Sequence, residues 1–98
     1  MKLINRDTEG ELLLEGRLDT TTAEEAENYF NEASDRFTTL ILNMEQLAYL
    51  SSAGLRSLKR LHIKMQKKGG SLALKNVNDN IMEVFEMTGF AGLLNFVQ

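Results

Sequence analysis

Apolar positions along this chain change period several times, and each change marks an element. From Glu11 to Arg17 they alternate, with Leu12, Leu14 and Gly16 on one side and Leu13 and Glu15 on the other. That is the period of a strand with one buried face. Met1 to Asp7 reads as a short strand before it, and Thr8-Glu9-Gly10 as the hairpin turn, with glycine supplying positive φ. The period then lengthens. Ala23, Ala26, Phe30 and Ala33 mark the inner stripe of a helix running to about Ala33. Thr21 with Glu24, and Thr22 with Glu25, have the capping-box spacing at its start. Phe37 to Asn43 is apolar without clean alternation, which predicts a strand covered on both faces, and Met44 to Ala48 reads as a bridge. Leu55, Leu58, Leu61, His62 and Met65 recur by threes and fours, so a second helix runs on to Lys68. Lys67 and Lys68 suit its negative end, and Gly69-Gly70 offers a left-handed stop. Leu72 and Leu74 oppose Ala73 in a strand over 71–76. Ile81, Val84, Phe85 and Thr88 line a third helix, opened by Asn80 with Glu83 in capping-box spacing and closed by Thr88-Gly89. Leu93 to Val97 reads as a last short strand.

The predicted order is β-β-α-β-α-β-α(-β). Alternation after the first hairpin implies parallel strands joined by right-handed crossover helices. The fold class is therefore α/β, a four- to five-stranded mixed sheet with about three helices. Its 98 residues form a single domain, 1–98, large enough for one core without staples.

Composition narrows the chemistry. Apolar residues make up 43% and charged residues 26%, as in soluble globular domains. No cysteine is present, which removes disulfides, thiolate metal sites and thiol catalysis. No apolar stretch approaches the ~18 residues of a membrane span, and Lys2 and Arg6 come too early for a secretory signal. A cytoplasmic setting is expected, with no stable membrane insertion. The net charge of −3 argues against nucleic acid as the main partner. Acidic residues crowd Glu24, Glu25, Glu27, Glu32 and Asp35, and basic ones Arg56, Lys59, Arg60, Lys64, Lys67 and Lys68. These are either two solvated faces or, for the second, a stripe that docks an acidic partner.

Candidate chemistry concentrates at Tyr49-Leu50-Ser51-Ser52-Ala53-Gly54-Leu55, where a strand hands over to a helix. Strand carboxyl ends and helix amino ends form the working edge of α/β domains, and a helix start favours anions. A nucleophilic serine would need a base. His62, the only histidine, lies ten residues beyond Ser52, about 15 Å along a helix, and position 50 lacks the glycine of a nucleophile elbow. No catalytic residues, metal site or cofactor are expected, and the phosphate-cradling glycine loops are absent. Ser51 and Ser52 either cap the helix or accept chemistry done by another protein. Asp19 is open to the same two readings, a turn residue or a functional one.

Three stretches resemble the STAS domain, the family of bacterial anti-sigma-factor antagonists and sulfate-transporter tails. They are Leu14-Glu15-Gly16-Arg17-Leu18-Asp19 continuing through Thr22-Ala23-Glu24-Glu25, then Ser51-Ser52-Ala53-Gly54-Leu55, then Val84-Phe85-Glu86-Met87-Thr88-Gly89-Phe90. The second is similar to the family's phosphorylation loop, usually Asp-Ser-Ser/Thr/Ala-Gly-Leu. The resemblance implies a cytoplasmic, non-enzymatic, protein-binding domain. Ser52 would be phosphorylated by an anti-sigma kinase using ATP held in the kinase. The unmodified protein would bind that anti-sigma factor and free a sigma factor, and a phosphatase would reset it. The partner surface implied is Asp19, Thr22, Ser51, Ser52, Ala53, Gly54, Leu55 and Arg56, with Asp19 matching an acidic position near the serine. A constitutive scaffold subunit of a transport or signalling complex is the alternative. Ser51 replaces the family's aspartate, which removes a carboxylate beside the hydroxyl and makes Ser51 an alternative acceptor. Many members carry a further helix beyond the position of Gln98. Without it, Met82, Met87, Phe90 or Phe96 would be either core or open to a partner.

Overall fold

Leucine alternation in the second strand sets the architecture, because it gives the sheet one strongly apolar face. The computed structural model describes residues 2–6 and 9–97, with side chains from Glu9 onward. Strand β1 is Lys2–Arg6 and β2 is Glu9–Leu18; helix α1 is Ala23–Arg36 and strand β3 is Thr39–Leu50. Helix α2 is Ser52–Lys67, β4 is Ser71–Lys75 and α3 is Asp79–Thr88. A single 3-10 turn, Phe90–Gly92, leads to β5, Asn95–Val97. The sheet runs β1-β2-β3-β4-β5, with β1 antiparallel to β2 and the other three pairings parallel. The order expected from the sequence, including the final short strand, is the order found.

One face of the sheet presents Leu12, Leu14, Leu40, Leu42, Leu72 and Leu74, all buried. Ala26, Phe30 and Ala33 of α1, Leu58, Leu61 and Met65 of α2, and Ile81 and Phe85 of α3 join them in one cluster. All three helices thus pack on that face. Burying each such side chain contributes roughly 1.5–3 kcal/mol. This corrects the expectation that the third strand is covered on both sides. Leu40, Leu42 and Met44 are buried, whereas Thr39, Ile41 and Asn43 between them are half-buried. The second face carries a polar cross-strand group instead. Glu11, only 4% exposed, accepts from Lys75 at 2.8 Å and from the Asn43 amide at 3.2 Å.

Strand β3 also runs further than expected, through 44–48 to Leu50. From Leu13 to Glu15 its partner moves from Asn43 to Gln46, and from Gly16 to Arg17 it moves from Leu47 to Tyr49. β3 therefore carries one extra residue at each step, as in a bulge. Met44, Leu47 and Leu50 all stay buried at a spacing of three, which hides the strand from a period-two template. Gly16, opposite these steps, has φ of 73°, a left-handed conformation that favours glycine.

The caps differ in detail. Glu9 and Gly10 belong to β2, paired with Arg6 and Asn5, so neither makes the hairpin turn, and Thr8 lies outside the described residues. Gly10 is small for another reason: a β-carbon there would lie 2.4 Å from the Phe37 ring. Helix α1 starts after Thr22, whose side chain makes no capping bond, and it extends to Arg36; Ala23 is only half-buried. The cap of α3 is Asn78, not Asn80; its side chain accepts from the Ile81 N–H at 2.9 Å and donates to the Leu47 carbonyl at 3.1 Å. Helix α2 ends as its glycines predict. Gly69 has φ of 76°, and the N–H groups of Gly69 and Gly70 close back on the carbonyls of Gln66 and Met65. The acidic and basic helices lie side by side, with Arg60 on Glu27 at 2.7 Å and Lys64 on Asp35 at 3.1 Å.

Candidate functional site

Parallel pairing brings the carboxyl ends of β2 and β3 to one edge of the sheet, where Leu18 pairs with Leu50. The Ser51 N–H donates to the Leu18 carbonyl at 2.9 Å, which fixes the loop after β2 against the start of α2. Gly54 makes that approach possible. A β-carbon there would lie 2.7 Å from the Leu18 carbonyl oxygen and 2.7 Å from Leu50 Cδ1.

The two serines differ in their surroundings. Ser51 is extended (φ −95°, ψ 174°), and its Oγ accepts from the Gly54 N–H at 3.3 Å, as a helix cap does. Ser52 is the first residue of α2 and is exposed. Its hydroxyl makes no hydrogen bond among the described residues. Arg56 follows one turn on, also exposed, and Ala53 is half-buried. Gly54 and Leu55 are buried in the domain's own core and do not face outward.

Asp19 organises the facing loop. Its carboxylate accepts from the Thr21 hydroxyl at 2.7 Å, the Thr21 N–H at 2.9 Å and Arg17 Nε at 3.1 Å. The Thr21 hydroxyl first, then Arg17, holds its pKa down at about 2. Thr22 Oγ1 accepts from the Asp19 N–H at 2.9 Å and donates to the Arg17 carbonyl at 2.8 Å, so the capping box expected for it does not form. Among the described residues no hydrogen bond joins Asp19 to Ser52; the two loops meet through the backbone at Leu18 and Ser51.

Two residues at this edge were given no role by the sequence reading. The Arg17 guanidinium sits 4.1 Å from the centre of the Tyr49 ring, and Tyr49 is 43% exposed. Their register partnership across β2 and β3 creates the pair, and only the bulges of β3 put Tyr49 opposite Arg17. His62 is half-buried on α2, and its Nε2 is buried without a partner; nothing brings it to Ser52. Among the described residues no cluster of three acidic or histidine side chains is placed to hold a metal ion, and no helix is long and apolar enough to cross a membrane. Of the apolar residues near the last strand, Met87 is exposed, whereas Met82, Phe90 and Phe96 are half-buried against the core.

This architecture is a two-layer α/β domain, with the loop after β2 and the start of α2 meeting at one sheet edge. The STAS domain family matches residues 4–98, and the chain belongs to it. BtrV of Bordetella bronchiseptica, named as an anti-sigma factor antagonist, is 30% identical over 96 residues, covering 95% of this chain and 83% of that protein. The fold is shared with the anti-sigma factor antagonist SpoIIAA in its unphosphorylated form. There the TM-score is 0.77 at 20% identity, over 99% of this chain and 86% of that one; a phosphorylated form of the Bacillus protein is similar at 0.76. It is also shared with a sulfate transporter family protein from Wolinella succinogenes, at a TM-score of 0.81 and 18% identity, over 95% of this chain and 80% of that one.

Proposed function

We propose that this domain is an anti-sigma-factor antagonist that binds a kinase-type anti-sigma factor and is released by phosphorylation of Ser52. The observation that carries the reading is the division of the serine pair. Ser51 is occupied as a cap, while Ser52 presents an exposed hydroxyl without a hydrogen bond at the sheet edge. The γ-phosphoryl group of ATP, held in the kinase, passes to Ser52 Oγ, the hydroxyl proton leaves to a base of the kinase, and ADP is the leaving group. The domain tolerates the product, because a helix start favours negative charge. A partner surface fitted to a neutral hydroxyl does not. The phosphate adds about −1.5 to −2 charge, and leaving such a charge buried and unpaired costs several kcal/mol, a large share of the ~8 kcal/mol of micromolar binding. A phosphatase restores the hydroxyl. The similarity to BtrV and to SpoIIAA supports this reading. Incubation with the cognate kinase and ATP, followed by mass-spectrometric site mapping, tests it. Phosphate is expected on Ser52, and incorporation away from both Ser51 and Ser52 overturns it.

A second reading is a constitutive binding subunit of a transport or signalling complex. The similarity to a sulfate transporter family protein favours it, as does Ser51 standing where the family's loop usually has aspartate. Co-purification with a transporter, with affinity unchanged when phosphoserine is installed at position 52, would establish it over the first.

A further inference from the structure

Ser52 and Arg56 are one helical turn apart, and residues at i and i+4 are neighbours on one face. Long helical side chains lean back toward the amino terminus, which puts the first turn within reach of an arginine at position 56. Both residues are exposed, and neither side chain makes a hydrogen bond or ion pair among the described residues. Three other cations of α2 and its cap are engaged. Arg60 is on Glu27, Lys64 on Asp35, and Lys68 on the carbonyls of Ser34 and Phe37. Lys59 shares the face but sits two turns from Ser52, roughly 10 Å along the axis. Asp19, on the neighbouring loop, is already held by Arg17 and Thr21.

We propose that Arg56 is the internal receiver of the Ser52 phosphate: once Ser52 is modified, the guanidinium turns onto the phosphate oxygens one turn below it. The proposal rests on Ser52 being the modified residue. The guanidinium fork matches two phosphate oxygens, and the pairing needs only a rotamer change on an already formed helix. Phosphorylation then does two things at the head of α2. It places negative charge there, and it withdraws Arg56, the cation one turn in, from any partner carboxylate it would otherwise meet.

Phosphoserine installed at position 52 during translation tests this without a kinase. The second ionisation of the phosphate, followed by 31P NMR at low salt, is expected about 0.3 pH units lower in the parent than in Arg56→Gln. The gap should shrink in 1 M salt. Lys59→Gln should shift the titration less than Arg56→Gln does. Superimposable curves for the parent and Arg56→Gln at low salt overturn the proposal. The same phosphoprotein, titrated against the anti-sigma kinase, separates the two ideas. Undiminished affinity sinks the switch at Ser52 and leaves the 31P result standing, whereas release with superimposed 31P curves sinks only the role of Arg56.

Discussion

Ser51 and Ser52 have the same side chain and neighbouring positions, yet opposite situations, because backbone conformation decides which can cap. The sequence shows a capping pair at a helix start; only φ and ψ show which hydroxyl reaches the Gly54 N–H. Removing the Ser51 hydroxyl (Ser51→Ala) is expected to lower stability by about 1 kcal/mol, whereas Ser52→Ala should change it by less than about 0.5 kcal/mol. Urea denaturation of the two variants measures both. Asp19 gives a pH signature. Its carboxyl is held below the ordinary range, at about 2, chiefly by the Thr21 hydroxyl. A depressed folded-state pKa gives stability that is present above the unfolded value near 4 and lost as pH falls through the folded one. The gap in melting temperature between the parent and Asp19→Asn should therefore be constant from pH 7 to about 5 and close between about pH 4 and 2. A gap that persists unchanged at pH 2 would contradict this. The threonines at 21 and 22 show the limit of spacing rules. Both satisfy the capping-box pattern, but Thr22 spends its hydroxyl on the Arg17 carbonyl and the Asp19 N–H, partners that exist only once β2 has ended where it does.

At the scale of elements, the parts with a steady period were legible: β2, the inner stripes of the three helices and the short strand β4. The second half of β3 was not, because the bulges turn its buried positions into a period of three. Those bulges matter to the site, since they determine where Leu50 and Ser51 emerge and place Tyr49 beside Arg17. The packing of α2 against Leu18 was equally hidden, because nothing in the spacing around Gly54 shows which backbone it meets. In an exposed helix, Gly→Ala stabilises by about 1 kcal/mol. At Gly54 the new methyl would meet a backbone carbonyl at 2.7 Å and Leu18 Cγ at 2.9 Å. The carbonyl is the acceptor of the Ser51 N–H and cannot retreat without breaking that bond. Crowding of this kind typically costs about 1–3 kcal/mol. Gly54→Ala should thus be destabilising, by about 1 to 2 kcal/mol in urea, despite the higher helix propensity of alanine. An unchanged or raised midpoint would show that α2 shifts freely at its start.

At the scale of the molecule, one layer of helices on one sheet face leaves, among the described residues, a single apolar cluster that every helix and most strands share. Phe85 ties the far end of that cluster together. It is fully buried on α3, and its ring lies 5.5 Å from Phe96 of β5, the edge strand. The edge proposed as the site, with Ser52, Arg56, Arg17 and Tyr49, is drawn from the ends of β2 and β3 and the start of α2, not from α3. Because the cluster is continuous, damage at Phe85 is felt at that edge only through global unfolding. Phe85→Ala is expected to cost about 3–5 kcal/mol, a large part of the 5–15 kcal/mol by which small domains are stable. Tyr29 on α1 and Tyr49 on β3 are the chain's only tyrosines, and no tryptophan is present, so near-ultraviolet circular dichroism reports on elements other than α3. If the domain is one cooperative unit, the tyrosine signal and the far-ultraviolet helix signal of Phe85→Ala should share one lowered urea midpoint. Two separated midpoints, with helix signal lost first, would instead show that α3 and β5 open while the edge bearing Ser52 stays folded.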